Sequence, residues 1–232
     1  MTAGRAVGPG GRGSAGDASD VDTSDVNDAI RGFYAVLDRD DQALAEALVA
    51  TARVLQVRIK PRTGRADPAE VVRIARMARR VCDAAGAALI VNDRIDIALA
   101  VGAEGVHLGQ ADLPIGAARR ISRDLWIGIS THNLVQVRAA CDAGADYLGF
   151  GPVFATATKE NPDPVQGLAG LRAAVAAAAG RPVVAIGGIT AANVDDIYGT
   201  GVHALCAISA VNQARDPRDM ARQFSRRRGP PR

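Results

Sequence analysis

Of the 28 Lys and Arg residues in this chain only two are lysines, Lys60 and Lys159. A lysine offers a compact, mobile point charge, suited to a phosphate whose geometry changes during reaction. Two surface lysines retained by chance is the bland alternative, and the neighbouring residues weigh against it. Gln56-Val57-Arg58-Ile59-Lys60 alternates, so on a strand Gln56, Arg58 and Lys60 share one face. Three such groups in an interior are costly to desolvate without a ligand or partners. Asn92-Asp93-Arg94 and Gly109-Gln110-Ala111-Asp112 each follow an apolar run, which brings Asp93 and Asp112 to neighbouring strand ends. Singly, each aspartate reads as a helix cap or turn residue. Together, beside Arg58, Lys60 and Lys159, they suit Mg²⁺ bridging a diphosphate, because Mg²⁺ takes few carboxylates and keeps waters and substrate oxygens. Thr156, Thr158 and Lys159 offer hydroxyl and ammonium donors at alternate spacing. Gly187-Gly188 and Ile208-Ser209 lie at the ends of two late apolar runs, where backbone N–H groups commonly hold a phosphate. Two anion sites suggest a transferase joining two phosphorylated substrates.

These groups need a frame that gathers them at one end. Eight apolar runs recur, at 33–37, 54–60, 88–92, 105–108, 126–130, 147–151, 183–186 and 204–208. Helical patterns start near Asp40, Asp67, Ile95, Pro114, Leu134, Gly167, Asn193 and Pro217. Asp67-Pro68 and Asp216-Pro217 each put a capping side chain before a proline at the first helical position. Continuous apolar strands alternating with helices predict parallel strands covered by helices, here a single (β/α)8 TIM barrel with its chemistry at the strand ends. An open doubly wound sheet is the alternative, but no Gly-x-Gly-x-x-Gly follows the first run. Residues 1–28, rich in Gly, Ser and Asp, read as a disordered tail. Residues 29–228 read as the barrel domain, and 229–232 as a frayed end.

Aromatic residues are 3% of the chain, too few for a platform that stacks single-stranded bases. The three cysteines have no metal-ligand spacing and no disulfide count, which fits a reducing compartment. No apolar run approaches the ~20 residues that span a bilayer, and the N-terminus lacks an apolar signal core. A cytoplasmic protein with no membrane partner is therefore expected. The net charge of +3 resolves into −2 over residues 1–31 and +5 over residues 217–232, leaving the body neutral. Nucleic acid is not expected as a partner.

The motifs Gln56–Lys60, Asn92–Arg94, Gly105–Asp112, Gly128–His132, Asp146–Phe154 with Thr156–Lys159, and Ala185–Ile189 together resemble the thiamine phosphate synthase family, over about Phe33 to Ala210. The resemblance implies condensation of 4-amino-2-methyl-5-pyrimidinylmethyl diphosphate with 4-methyl-5-(2-phosphooxyethyl)thiazole, giving thiamine phosphate and diphosphate. It further implies Mg²⁺ as cofactor and a dissociative course, with diphosphate leaving before the thiazole nitrogen attacks. Position by position, Asp93 and Asp112 would ligate Mg²⁺, and Arg58, Lys60, Asn92 and Lys159 would bind the diphosphate. Gln56 and Ser130 would contact the pyrimidine or the leaving group. Thr156 and Thr158 would lie near the thiazole phosphate and the reacting centre. The N–H groups of Gly188, Ile208 and Ser209 would hold that phosphate. Arg58, Lys60, Ser130 and Lys159 are the expected catalytic set, and His107 is not expected to act as a base. The partners implied are small-molecule substrates, with homo-oligomer formation left open.

Three rivals stand beside this reading: a thiazole tautomerase on the same barrel, a non-catalytic phosphate-ligand sensor, and a nucleic-acid binder. The tautomerase would need the thiazole phosphate site but neither Asp93, Asp112, Lys60 nor Lys159. The family commonly has a polar residue where this chain has Ile59, whose side chain should point away from Arg58 and Lys60. The segment 61–65 is unusual as well.

Overall fold

Why the apolar runs become strands is clear from the computed structural model, which describes residues 23–60, 66–155 and 163–225. Nine strands form: β1 (Gly32–Phe33), β2 (Ala35–Leu37), β3 (Val54–Val57), β4 (Ala88–Asn92), β5 (Gly105–Leu108), β6 (Trp126–Thr131), β7 (Tyr147–Phe150), β8 (Val183–Ile186) and β9 (Ala204–Cys206). All pair in parallel, in the order β1-β9-β8-β7-β6-β5-β4-β3-β2. Only Tyr34 separates β1 from β2, and its N–H donates to Leu205 O at 2.8 Å. The two edges of the sheet are thus one extended segment, and the sheet closes on itself as the expected eight-staved barrel. Closure leaves no open edge to be protected.

Alternation sorts the side chains into two layers. Leu37, Leu55, Val91, Ile127, Leu148 and Leu205 join the helix-facing core. Val36, Val54, Ile90, Trp126, Tyr147, Val184 and Cys206 fill the interior. The helices are α1 (Thr23–Ala29), α2 (Gln42–Val49), α3 (Pro68–Ala85), α4 (Ile95–Val101), α5 (Ile115–Ile121), α6 (Leu134–Asp142), α7 (Gly167–Ala177), α8 (Val194–Tyr198), α9 (Ile208–Asn212) and α10 (Pro217–Ser225). The two Asp-Pro starts behave as the sequence indicates. Asp67 accepts from Ala69 N at 3.0 Å, and Asp216 accepts from Asp219 N at 3.0 Å. Along α3, Val71, Ile74, Ala75, Ala78 and Cys82 recur at helical spacing and are buried. Gly86 ends that helix in the left-handed region, φ 66°, where glycine carries no side-chain penalty.

Three expectations are corrected. The tail was expected to reach Asp28, yet Thr23–Ala29 is helical, and Val26 and Ile30 are buried against the interior cluster. This short helix plugs the N-terminal end of the barrel; burial of two apolar side chains, rather than its own propensity, holds it. Residues 1–22 and 226–232, on which the other tail expectations fall, lie outside the described residues, as do 61–65. The second strand ends at Val57 rather than Lys60, although Arg58 N still donates to Leu37 O at 2.9 Å. The last strand ends at Cys206, and Ile208 already opens α9.

Candidate active site

Chain ends of neighbouring parallel strands lie side by side, so the register sets the site. Gln56 pairs with Ile90 and Asn92 pairs with His107. At the C-terminal rim, Lys60 Nζ lies 3.3 Å from Asp93 Oδ2. Asp93 has a left-handed backbone, φ 62°, unusual for a residue with a Cβ, and its N–H is held by His107 O at 2.8 Å. It caps nothing: Arg94 is the cap residue of α4, which has no side-chain acceptor. Asp112 does close a turn, accepting from Gly109 N at 2.7 Å through Oδ2. Burial raises the Asp93 carboxyl above its ordinary value; Lys60 opposes this, and the Asp112 carboxylate beside it adds to the rise. Two carboxylates held together against their repulsion form a hard oxygen donor pair, which fits Mg²⁺ with water and phosphate oxygens completing the shell. Among the described residues no group of three or more His, Cys, Asp or Glu side chains assembles.

Below this rim lies a neutral floor. Gln56 is buried, 4% exposed, and its Nε2 has no partner. An unpaired buried amide donor is costly unless a ligand takes it. Ser130 Oγ lies 2.9 Å from His107 Nε2, and Ser130 O accepts from Gln110 Nε2 at 2.6 Å. Burial, with the Arg58 guanidinium next, pushes His107 down to about 4, so the imidazole is neutral at neutral pH. The Arg58 guanidinium, half-buried, has no carboxylate partner among the described residues. Ile59 packs against the helix-facing core, away from its neighbours, as alternation requires.

On the opposite side, Gly187 and Gly188 have φ of 99° and 63°. A Cβ on Gly187 would lie 2.6 Å from Pro152 Cα, and one on Gly188 would lie 2.5 Å from Ala155 O. Glycine is therefore required for the turn and for its close approach to the segment after β7. Val153 N and Phe154 N donate to Ile186 O and Gly187 O at 2.9 and 3.0 Å. Ile208 and Ser209 occupy the first turn of α9. His132 Nδ1 donates to Gly151 O at 2.6 Å, and its Nε2 lies 3.4 Å from Asp163 Oδ2. His132 so ties both ends of the segment between β7 and α7. Thr156, Thr158 and Lys159 fall within that segment and lie outside the described residues.

Comparison with known proteins adds the decisive observation. Residues 33–211 match the model of a family described as thiamine monophosphate synthase. The chain belongs to the thiamine monophosphate synthase family. It is 44% identical over 187 residues to the thiamine-phosphate synthase of Chloroflexus aurantiacus, covering 80% of this chain and 84% of that protein. The corresponding protein of Laribacter hongkongensis is 46% identical over 151 residues, covering 65% of this chain and 71% of that one. Among solved structures, a thiamine phosphate pyrophosphorylase from Pyrococcus furiosus superposes with a TM-score of 0.76 at 38% identity, over 84% of this chain and 94% of that one.

Within this family member the structure brings Gln56, Arg58, Lys60, Asn92, Asp93, Asp112 and Ser130 to one mouth. Gly188, Ile208 and Ser209 sit at the ends of β8 and β9. The sequence reading set His107 aside as a base and did not single out Gln110, His132 or Tyr147, which the structure places in hydrogen bonds at or beneath this mouth. The signal for His107 and Tyr147 was there: both occupy inward positions of strands whose facing positions are glycine.

Proposed function

We propose that this chain is a transferase that joins 4-amino-2-methyl-5-pyrimidinylmethyl diphosphate to the phosphorylated hydroxyethyl-methylthiazole, releasing diphosphate and thiamine phosphate. The observation that carries the reading is the division of the mouth. A rim of Lys60, Arg58 and the Asp93–Asp112 pair stands over a neutral floor with an unpaired buried amide at Gln56. A diphosphate ester of a neutral heterocycle has the same two parts.

On this reading Lys60, Arg58, Asn92 and Lys159 take the diphosphate oxygens. Asp93 and Asp112 would hold Mg²⁺, which when bound would neutralise charge building on the leaving diphosphate. Gln56 orients the pyrimidine, which helps its amino group to delocalise positive charge as the carbon–oxygen bond breaks. The thiazole nitrogen then attacks the freed methylene carbon through its lone pair. Backbone N–H groups of Gly188, Ile208 and Ser209 hold the thiazole phosphate so that this nitrogen faces the methylene; the family resemblance assigns Thr156 and Thr158 to the same substrate. No proton transfer is needed to form the carbon–nitrogen bond, so positioning and charge stabilisation are the protein's main tasks. A tautomerase would have no use for the Lys60–Asp93–Asp112 cluster.

The test is a coupling assay with purified protein, with and without Mg²⁺. Thiamine phosphate and diphosphate are expected in equal amounts only when both substrates and Mg²⁺ are present. Absence of product under those conditions overturns the reading.

A further inference from the structure

Ser130 is the upper end of a hydrogen-bonded file that runs down the barrel axis. Its Oγ meets His107 Nε2 at 2.9 Å, His107 Nδ1 meets Tyr147 Oη at 3.1 Å, and Tyr147 Oη meets Tyr34 Oη at 2.9 Å. The phenols are buried, Tyr147 at 0% and Tyr34 at 4% exposure. Their rings tilt against one another at 5.9 Å, and Tyr147 against His107 at 5.5 Å. The four residues come from β5, β6, β7 and the junction of β1 and β2, each at an inward position. Gly128 and Gly149 make the room, since a Cβ there would lie 2.1 Å from Tyr147 Cζ and 3.2 Å from His107 Cε1. Tyr34 ends the file among Val26, Ile30, Val36 and Cys206.

The protons of this file can be counted. Three hydroxyls and one neutral imidazole bring four hydrogens to three bonds, so one hydrogen is left over. A neutral imidazole donates through one nitrogen and accepts through the other, so the file points one way or, with Nδ1–H, meets at Tyr147 Oη and leaves that buried hydroxyl's own hydrogen unpaired. If it pointed inward, Ser130 would donate to His107 and the leftover hydrogen would be that of Tyr34. Among the described residues that hydroxyl has no hydrogen-bond partner besides Tyr147, and the Cys206 sulfur of the same cluster is a weak acceptor. If it points outward, Tyr34 donates to Tyr147, Tyr147 to Nδ1, and Nε2–H to Ser130 Oγ. The leftover hydrogen is then that of Ser130, at the mouth. An unpaired buried hydroxyl is disfavoured by roughly tenfold to a hundredfold, which sets the direction.

We infer that Tyr34, Tyr147 and His107 are positioning residues that fix Ser130 as a hydrogen-bond donor toward the substrate. Ser130 therefore reads an acceptor on the pyrimidine diphosphate, a ring nitrogen or a phosphate oxygen, and disfavours a ligand that presents N–H there. This rests on the proposed function for the identity of the ligand, but the direction of the file does not.

The test begins with the ligand-free full chain labelled with ¹⁵N-histidine. Only three histidines are present, and a His107→Gln variant assigns the signal. A His107 spectrum with the proton on Nε2 is expected; a proton on Nδ1, or on both nitrogens, overturns the inference. The Tyr147→Phe variant removes the donor to Nδ1, and a mixture of the two tautomers is expected. In the coupling assay Tyr147→Phe lowers turnover about tenfold in the wild-type background and has little further effect in Ser130→Ala. Equal loss in both backgrounds would mean a merely structural role and overturns the inference. An inactive wild-type protein with the Nε2–H tautomer sinks the proposed function alone.

Discussion

Gly128→Ala tests the interior most severely. Gly128 pairs with Tyr147 across β6 and β7. An alanine Cβ there would lie 2.1 Å from Tyr147 Cζ, 2.4 Å from its Oη and 2.5 Å from its Cε1. Carbon atoms in contact normally stay about 3.5–4.0 Å apart, so the ring must move by more than an ångström. It has nowhere to go: Tyr147 has no exposed surface, and its hydroxyl is held by Tyr34 and His107. Overpacking costs about 1–3 kcal/mol, and two broken buried hydrogen bonds cost about 1 kcal/mol each, together about 3–5 kcal/mol. For a domain of this size each kcal/mol moves Tm by roughly 2–4 °C, so a fall of roughly 6–20 °C is expected by calorimetry. Gly116→Ala is the control. Nothing lies within 4 Å of its added Cβ on α5, and the helix gains up to about 1 kcal/mol. Adding Tyr147→Leu to Gly128→Ala should return part of the loss. A Gly128→Ala protein that melts within about 2 °C of wild type refutes the packing, and with it the room required by the Tyr147–His107 file.

Asp93→Asn raises the Mg²⁺ concentration for half-maximal rate by at least the roughly tenfold that even an outer-shell change costs, read by titration of the coupling rate; an unchanged response removes Asp93 from the metal. Lys159→Ala lowers turnover by about a hundredfold or more while circular dichroism stays the same; an unchanged rate removes Lys159 from the leaving-group site. Cys82 and Cys206 are both pushed up to about 12, by burial first, and burial likewise raises Tyr34 and Tyr147. Above pH ~9 the unfolded thiols lose protons that the folded ones keep, so stability falls as pH rises from ~9 toward ~12, by up to about 1.4 kcal/mol per pH unit for each thiol. Urea midpoints between pH 8 and 11 measure this, and a flat profile refutes the protonated interior.

The barrel was legible because fully buried parallel strands read as unbroken apolar runs, and because Asp67-Pro68 and Asp216-Pro217 punctuate them. The plug helix was not. Thr23–Ala29 is polar in composition, and Val26 and Ala29 with the following Ile30 carry it, through contacts that a local pattern does not record. Strand ends blurred for a similar reason: Ile208 suits a strand as well as a helix, and Arg58 keeps one ladder bond beyond β3. The Lys60–Asp93–Asp112 cluster was legible because each residue follows its strand directly, so adjacency of strands implies adjacency of side chains. The file beneath Ser130 joins residues 113, 40 and 23 positions apart, and no short-range spacing reveals it.

Rim and floor differ for one physical reason. Lys60 and Asp93, at 52% and 30% exposure, remain partly hydrated, so charges can stand there until a ligand arrives. A charge on the floor would lose that hydration and would need a permanent partner, which would then compete with the substrate. The floor is accordingly built from an amide, a hydroxyl and a neutral imidazole, and the nearby Arg58 helps keep that imidazole uncharged. Neutral groups recognise by the direction of their hydrogens rather than by charge, and direction must be fixed from below. The two glycines facing Tyr147 and His107 make room for the groups that fix it, which links an empty Cβ position in the barrel interior to the choice of substrate at its mouth.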